Sequence, residues 1–221
     1  MNAEAPRRLR ADAARNVERI IAAAREVFAE QGAEAQLDDI ARRAGVGQAT
    51  LYRHFASKED LILTIVRRRF DEDVEPAMHR ALADPDPWAG IVLLLETVLE
   101  VAAGERATFA AARGPAAFLG LASQYFDSLT VLLGRAQEAG LVRADLTGED
   151  VPRLFTMLIA VQRLGSDPGD LLIGARSLGS EPNEGWRRYL VLLLDALRPA
   201  AATPLPPLTT RTMLTTRKSP R

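Results

Sequence analysis

The segment GVGQATLYRHFASKEDLI, residues 45–62, decides the fold class because it combines a glycine turn, a short helix and the start of another helix. Gly45 and Gly47 mark the turn, and a helix is predicted from about Gln48 to Phe55. Leu51 and Phe55 lie four residues apart and therefore share one face of that helix. The remaining side chains are mostly polar, so we expect one face to pack inward and the other to stay free.

Two further helices are predicted before this segment. The first spans residues 12–31 and ends at Gly32, since its apolar residues recur at intervals of three and four: Val17, Ile20, Ile21, Ala24, Val27 and Phe28. A short second helix covers about Leu37 to Ala44. Two short helices joined by a glycine turn form a helix-turn-helix, a motif whose second helix enters the major groove of DNA.

The free face of the third helix offers side chains that suit a duplex. A glutamine can pair with adenine and a methyl group can meet that of thymine, while hydroxyl, imidazole and ammonium groups suit phosphate oxygens. The alternative is that these residues only decorate the solvated face of a small helical bundle. The predicted DNA-contacting residues are Gln48, Ala49, Thr50, Tyr52, Arg53, His54 and Lys58, with Arg15 and Arg43 in addition.

The charge of the chain is distributed unevenly, although its net value is only -1. Residues 1–69 carry thirteen basic and ten acidic side chains, whereas residues 70–200 carry eleven and nineteen. The last 21 residues add four basic side chains and no acidic one. This polarity favours an N-terminal third that faces a polyanion and a larger acidic remainder that does not.

The run RIIAAAREVFAEQGAEAQLDD followed by IARRAGVGQATLYRHFASKEDLI resembles the TetR family of transcriptional regulators over about residues 16–66. The resemblance implies that Gln48, Ala49 and Thr50 begin the recognition helix and reach bases or phosphates. It also implies that Tyr52, His54 and Lys58 contact the DNA backbone. The partner implied is double-stranded DNA with a palindromic operator.

The remainder of the chain is predicted to be helical, because an alternating strand pattern is nowhere sustained. Ser57 with Asp60 is typical of a capping box that opens a long fourth helix, and Pro76 should kink that helix. Thr147 with Asp150 forms a second such pair. Further helices are expected at about 88–103, 106–112, 116–139, 148–164 and 183–198, with a loop at 165–182.

The predicted fold is therefore all-α, with an N-terminal three-helix DNA-binding domain joined by a long helix to a C-terminal effector-binding and dimerisation domain. Four parts are expected: a flexible basic arm at 1–11, the helix-turn-helix domain at 12–56, a helical ligand-binding and dimerisation domain at 57–198, and a disordered tail at 199–221.

The last two predicted helices carry more apolar surface than one neighbouring helix would cover. A second chain could cover the surplus, and the resemblance implies that these helices pair with their copies in a homodimer. The alternative is that the apolar stripe belongs to the internal core. The residues predicted at the dimer interface are Leu154, Leu158, Trp186, Tyr189, Leu190, Leu193 and Leu197.

The middle helices carry large side chains that could surround a cavity, although each could equally belong to the core. The resemblance implies a small apolar or amphipathic effector here, whose binding releases a repressor from its operator. A DNA-binding regulator or scaffold without a ligand is the alternative. The predicted lining residues are Trp88, Phe109, Arg113, Phe118, Gln124, Tyr125, Phe155, Met157 and Gln162.

The sequence offers little to an enzyme or a metal site. It has no cysteine and only two histidines, so a metal site at Glu75 and His79 would have no further histidine or cysteine and would need distant carboxylates. We therefore expect no catalytic residue, no metal and no cofactor. No apolar segment of about 18 residues is evident, so we expect no membrane partner and a cytoplasmic location.

Overall fold

A computed structural model describes residues 4–112, 119–163, 185–199 and 203–206. Within these ranges the chain is helical and contains no strand, which confirms the predicted fold class. The helices are α1 (Glu4–Gln31), α2 (Leu37–Ala44), α3 (Gln48–His54), α4 (Lys58–Arg69), α5 (Glu75–Ala83), α6 (Pro87–Gly104), α7 (Arg106–Ala111), α8 (Leu119–Glu138), α9 (Asp150–Arg163) and α10 (Gly185–Leu197). The predicted loop at 165–182 lies outside the described residues.

Helix α1 begins at Glu4, eight residues before the predicted start. The flexible arm predicted at 1–11 is therefore corrected for residues 4–11, which are helical. This stretch lacks the apolar periodicity that identified the rest of the helix, but it is rich in alanine and arginine, which favour helix. Pro6 falls in the first turn, where a proline is tolerated.

The helix-turn-helix has the predicted form. Gly45 follows α2 with a φ of 62°, and the amide of Val46 donates to the carbonyl of Ala41, so the helix ends in a Schellman motif. A left-handed φ of this kind favours glycine over residues with a side chain. Helix α3 begins two residues after Val46, at Gln48.

The described residues form two apolar cores. The first, here called the N-terminal bundle, joins α1, α2, α3 and the first two thirds of α4, and it includes Leu61, Ile62 and Ile65. The second, the C-terminal bundle, begins at Val66 and takes in α5, α6, α8, α9 and α10. The predicted domain boundary at 56/57 is therefore corrected, because the core changes inside α4 between residues 65 and 66.

A π-helical turn, Phe70–Val74, separates α4 from α5. The sequence predicted a kink at Pro76, and the irregular turn lies just before it, with Pro76 in the first turn of α5. Because proline has no amide hydrogen, the usual bond to the carbonyl four residues earlier is lost and the helix has to adjust there. The amide of Glu75 donates instead to the carbonyl of Phe70, five residues earlier.

Helix α6 corrects the expectation that no apolar segment of membrane-spanning length exists. Residues 87–104 form an 18-residue helix with a mean hydropathy of 1.5, long and apolar enough to cross a bilayer by length and composition alone. Its inward face packs in the C-terminal bundle, where Leu94 and Leu99 are fully buried. This is the arrangement of a central helix in a helical domain.

Part of the predicted disordered tail is held in place. The guanidinium of Arg143 donates to the carbonyl of Thr203 at 2.6 Å, and the amide of Leu205 donates to the carboxylate of Asp145 at 2.8 Å. Arg143 also pairs with Asp145 and holds the pKa of that carboxyl below its ordinary range. Residues 203–206 therefore lie against the connection between α8 and α9, which corrects the prediction for this short stretch.

Candidate nucleic-acid interface

Helix α3 presents a polar face to solvent, as predicted. Leu51 is fully buried and Phe55 is 4% exposed, so these two side chains hold the helix against the N-terminal bundle. Tyr52 is 51% exposed, and Gln48 and Ala49 are exposed as well. The free face is therefore short, polar and able to form hydrogen bonds, which suits the edge of a base pair.

Arg19 of α1 secures the turn that leads into α3. Its guanidinium donates to the carbonyls of Ala44 and Gly45, at 2.5 and 3.1 Å. These carbonyls end α2, where a cation is favourable to the helix dipole. The sequence prediction missed Arg19, since a residue 25 positions before the turn leaves no local signal.

Tyr52 and Lys58 border one surface hollow, which is also lined by Ala35, Gln36, Leu37, Ala56 and Glu59. The ammonium of Lys58 donates to the carbonyl of Ala33 at 2.6 Å, so it lies over the connection between α1 and α2. His54 is half-buried, with its ring centre 6.3 Å from that of Phe55. The hydroxyl of Tyr52, the imidazole of His54 and the ammonium of Lys58, which were predicted to meet phosphates, thus lie near the C-terminal end of α3.

The three predicted arginines already have partners in the unbound protein. Arg53 donates to the carbonyl of Ala49 and to the hydroxyl of Thr50, both at 3.0 Å, so it lies along α3. Arg15 pairs with Asp12 one turn earlier in α1. To contact DNA, Arg53 and Arg15 would have to give up these exposed bonds within the protein.

Arg43 is the most strongly engaged of the predicted cations. It forms ion pairs with Glu26 and Glu30 of α1, at 3.0 and 2.7 Å. Its guanidinium lowers the pKa of the Glu30 carboxyl. Arg43 therefore ties α2 to α1, and this arrangement favours a structural role over the predicted DNA contact.

The middle helices hold an aromatic cluster made of Tyr125, Phe126 and Phe155, whose ring centres all lie 5.5 Å apart. Tyr125 is buried and donates from its hydroxyl to the carbonyl of Leu94 at 3.2 Å. Phe109 packs against the C-terminal core while partly buried. Tyr125 and Phe155, two of the predicted lining residues, therefore pack against each other in the C-terminal bundle.

Other members of the predicted lining lie elsewhere. Trp88 stacks beneath the guanidinium of Arg198, 3.5 Å from its ring centre, at the end of α10. Met157 is 64% exposed and Gln124 is exposed, so both predictions are corrected: helical spacing alone did not reveal which face of α8 or α9 meets the core. Arg113 and Phe118 lie outside the described residues, as does the side chain of Gln162.

The predicted dimer residues belong largely to the subunit's own core. Leu158, Trp186, Leu190 and Leu197 are buried in the C-terminal bundle, and Leu154, Tyr189 and Leu193 pack against it. The prediction is corrected for the four buried side chains, because an apolar stripe looks the same whether its own subunit or a second one covers it. Among the side chains of α9 and α10 that the structure describes, the large apolar ones that are exposed are instead Met157, Val191 and Leu192, all more than half exposed.

Glu75 and His79 lie 4.0 Å apart on α5, both largely exposed. No group of three metal-ligating side chains occurs among the described residues.

Comparison with known proteins identifies relatives of the N-terminal bundle. Residues 20–65 match the model of the family described as "Bacterial regulatory proteins, tetR family". An HTH-type transcriptional regulator of Staphylococcus aureus is 41% identical over 64 residues, which cover 28% of this chain and 35% of that protein. The matched segment thus spans about a third of the curated relatives. The family match at residues 20–65 contains the whole helix-turn-helix.

Solved structures extend the likeness to both bundles. A TetR transcriptional regulator of Streptomyces coelicolor is 28% identical with a TM-score of 0.54, covering 84% of this chain and 99% of its own. The fatty acid degradation regulator FadR of Bacillus halodurans has a TM-score of 0.63 at 22% identity, covering 83% and 96% of the two chains, and so shares the fold. The proteins found are transcriptional regulators rather than enzymes.

Proposed function

Since the chain belongs to the TetR family of DNA-binding transcriptional regulators, we propose that it is a homodimeric repressor released from a palindromic operator by a small apolar or amphipathic effector. The observation that carries the DNA-binding part is the geometry of α3. Its apolar side chains Leu51 and Phe55 are buried, while Gln48, Ala49 and Tyr52 remain free. A helix docked in this way can enter the major groove without losing its own packing.

Base readout is assigned to Gln48, Ala49 and Thr50, and phosphate contacts to Tyr52, His54 and Lys58. Gln48 is the first residue of α3. The N-terminal end of a recognition helix is the end that approaches base edges. Tyr52 and Lys58 share one surface hollow and carry a hydroxyl and an ammonium group suited to phosphate oxygens. Binding should therefore weaken as salt rises, because each neutralised phosphate releases counterions.

Dimerisation through α9 and α10 is supported by the exposed apolar side chains Met157, Val191 and Leu192. The two helices pack against each other within the C-terminal bundle, so their outer faces could meet the same faces of a second copy. A two-fold axis would then present two copies of α3 about 34–36 Å apart, one turn of DNA. An inverted repeat is the corresponding operator.

An effector would act by favouring one relative orientation of the two bundles over another. A coupling of about 1–3 kcal/mol, or 5- to 150-fold in operator affinity, is enough for a switch. The aromatic cluster at Tyr125, Phe126 and Phe155 is the proposed region of binding, and its rings would have to separate to admit a ligand.

That close packing favours a second candidate, a regulator or scaffold that binds DNA without an effector. Native mass spectrometry of the freshly purified full chain, together with binding of the apolar dye anilinonaphthalene sulfonate, separates the two. A co-purifying small molecule or saturable dye binding that Phe155→Trp abolishes supports the effector. Neither signal, with operator binding intact, supports the ligand-free regulator.

The DNA-binding proposal is tested by selecting fragments from a random-sequence library on the full chain and measuring their retardation at 50 and 200 mM salt. Inverted repeats should be enriched, and binding should weaken at higher salt. Lys58→Ala should lower affinity uniformly across sequences and reduce the salt slope by about 1 per contact. The matched control is Arg80→Ala, which removes an exposed cation from α5.

Failure to enrich any inverted repeat, with the protein folded by circular dichroism, would remove the operator proposal. Equal losses of DNA affinity for Lys58→Ala and Arg80→Ala would show that the effect comes from the total charge of the protein rather than from a phosphate contact at Lys58. Dimerisation is tested separately by sedimentation of Val191→Glu with Leu192→Glu. Val131→Glu is the control, since Val131 is a similarly exposed apolar residue on α8.

A further inference from the structure

Glu105 is a carboxylate buried at the junction between the two bundles. It is 4% exposed, and it occupies the break between α6 and α7. Buried acidic side chains are rare in proteins unless they are paired. The partners of Glu105 therefore indicate which parts of the molecule it joins.

Those partners come from three separate elements. Arg25 of α1 reaches the carboxylate with its Nε at 2.9 Å and its Nη2 at 2.6 Å. Thr108 of α7, itself buried, donates from its hydroxyl to the second oxygen at 2.8 Å. Arg69, in the last turn of α4, lies with its Nε 3.9 Å away.

This position lies beside the irregular turn of the long helix. Arg69 immediately precedes the π-helical turn Phe70–Val74 and also pairs with Asp73 inside it, at 2.8 Å. Arg68 links the same turn to α1, through Glu72 and Glu18. Glu105 is the buried member of a group of charges that surrounds this π-helical turn.

Apolar contact also joins the bundles, because α7 inserts the fully buried Ala111 into the N-terminal core. Apolar burial is non-directional and depends mainly on the area removed from water. Charge-assisted hydrogen bonds impose both distance and direction. Ala111 can therefore hold the bundles together, while the bonds of Glu105 select one angle between them.

We propose that Glu105 is the positioning residue that fixes the angle of the N-terminal bundle relative to the C-terminal bundle, through Arg25 and Thr108. The consequence for operator binding rests on the proposed function, but the positioning itself does not. In a dimer, a fixed angle would set the separation between the two copies of α3. A side-chain movement at the α6–α7 break would change that separation without altering α3.

The test measures the angle directly as a distance within one subunit. Because the natural chain has no cysteine, Ala22→Cys on α1 and Ser123→Cys on α8 give two unique sites for nitroxide labels at exposed positions. Excess unlabelled chain keeps the measured pair within one subunit. Pulsed electron paramagnetic resonance then reports the distance distribution between the bundles.

The labelled chain should give one narrow distribution, and Glu105→Gln should broaden it at least twofold or shift its maximum. Gln preserves the size of the side chain while removing its charge. The matched control is Glu100→Gln on α6, which removes a pair of 2.9 Å with Arg187 that does not reach the N-terminal bundle. An unchanged distribution in folded Glu105→Gln, equal to that of Glu100→Gln, would overturn the proposal.

If Glu105→Gln fails to fold, the double variant Arg25→Met with Glu105→Gln provides the test instead, because it leaves no charge unpaired in the junction. Its distribution should be broad, and a narrow one would overturn the proposal. Thr108→Val should broaden the distribution less. If the selection supplies a retained DNA fragment, Glu105→Gln should weaken binding to that fragment about tenfold, within the usual range of coupling between sites. If no fragment is retained, the operator proposal fails. The distance measurement still tests the role of Glu105 in that case.

Discussion

The guanidinium of Arg19 lies 2.5 Å from the carbonyl oxygen of Ala44, so α1 directly restrains the end of α2. The same group reaches the carbonyl of Gly45 at 3.1 Å. The turn between α2 and α3 is consequently held from outside as well as by its own backbone. Substitutions at this turn should affect the position of α3 more than they affect the rest of the fold.

Arg19→Met should weaken DNA retention, because two carbonyls lose a charged donor while the aliphatic part of the side chain remains. The free energy of unfolding should fall by about 1 kcal/mol, as for a typical hydrogen bond. Urea unfolding and gel retardation of a selected fragment measure the two effects. Arg42→Met, which removes an exposed arginine from α2, should leave both near wild type; an equal loss in both variants would contradict the role of Arg19.

Gly45→Ala should destabilise the chain by about 1–2 kcal/mol, the usual cost of a left-handed conformation for an L-residue. The glycine has a φ of 62°, and an added Cβ would lie 2.8 Å from Nη2 of Arg19. Thermal unfolding measures the change. Gly104→Ala is the control, since a Cβ there meets nothing within 4 Å; similar losses at both positions would contradict the conformational explanation.

Gly90→Ala should destabilise the C-terminal bundle by about 1–3 kcal/mol, the range for overpacking. An added Cβ would lie 2.9 Å from the carbonyl oxygen of Ala81 and 3.0 Å from Cδ2 of Leu132. Leu132 is fully buried and has little freedom to move. Hydrogen exchange should show faster opening in α5, α6 and α8, whereas Gly134→Ala, with open space at its Cβ, should not.

Stability should decline above about pH 10 through Tyr125. Burial raises the pKa of its hydroxyl above the ordinary value of 10.0, so the folded protein keeps the proton where the unfolded chain releases it. The stabilisation is complete below the unfolded pKa and is lost as pH rises, by up to about 1.4 kcal/mol per pH unit for one proton.

Urea unfolding at pH 9, 10 and 11 measures this decline. Tyr125→Phe should reduce the slope of the free energy of unfolding against pH by the equivalent of one proton. It should also lower the free energy of unfolding at neutral pH by about 1 kcal/mol, because the hydrogen bond to Leu94 is lost. Tyr52→Phe, which removes an exposed hydroxyl, is the matched control. Equal slopes for Tyr125→Phe and the wild type would contradict the assignment.

The helix-turn-helix could be predicted from sequence because its determinants are local. Gly45, Leu51 and Phe55 lie within eleven residues and specify a turn and a buried face by spacing alone. The Ser57 cap was equally local, and its hydroxyl accepts from the amide of Asp60 as predicted. Short-range backbone rules thus suffice for the surface that is proposed to meet DNA.

The C-terminal bundle could be predicted only as a series of helices. Trp186 and Leu190, which were predicted at the dimer interface, are buried within the subunit, whereas Val191 and Leu192, which were not, are exposed. Which neighbour covers each face depends on tertiary packing. Glu105 was missed for the same reason, since its partner Arg25 lies 80 positions away.

The wide turn at Phe70–Val74 sets a rotational phase as well as a bend. Because a π-helical turn holds one residue more than an α-helical turn, deleting one residue there would let α4 and α5 join as a regular rod with little rotation. Inserting one residue would instead rotate everything that follows by about 100°. Ala77 and Ala81, both fully buried, would then face away from α6. This segment should therefore tolerate the loss of one residue better than the gain of one, since only the gain changes which side chains of α5 face α6.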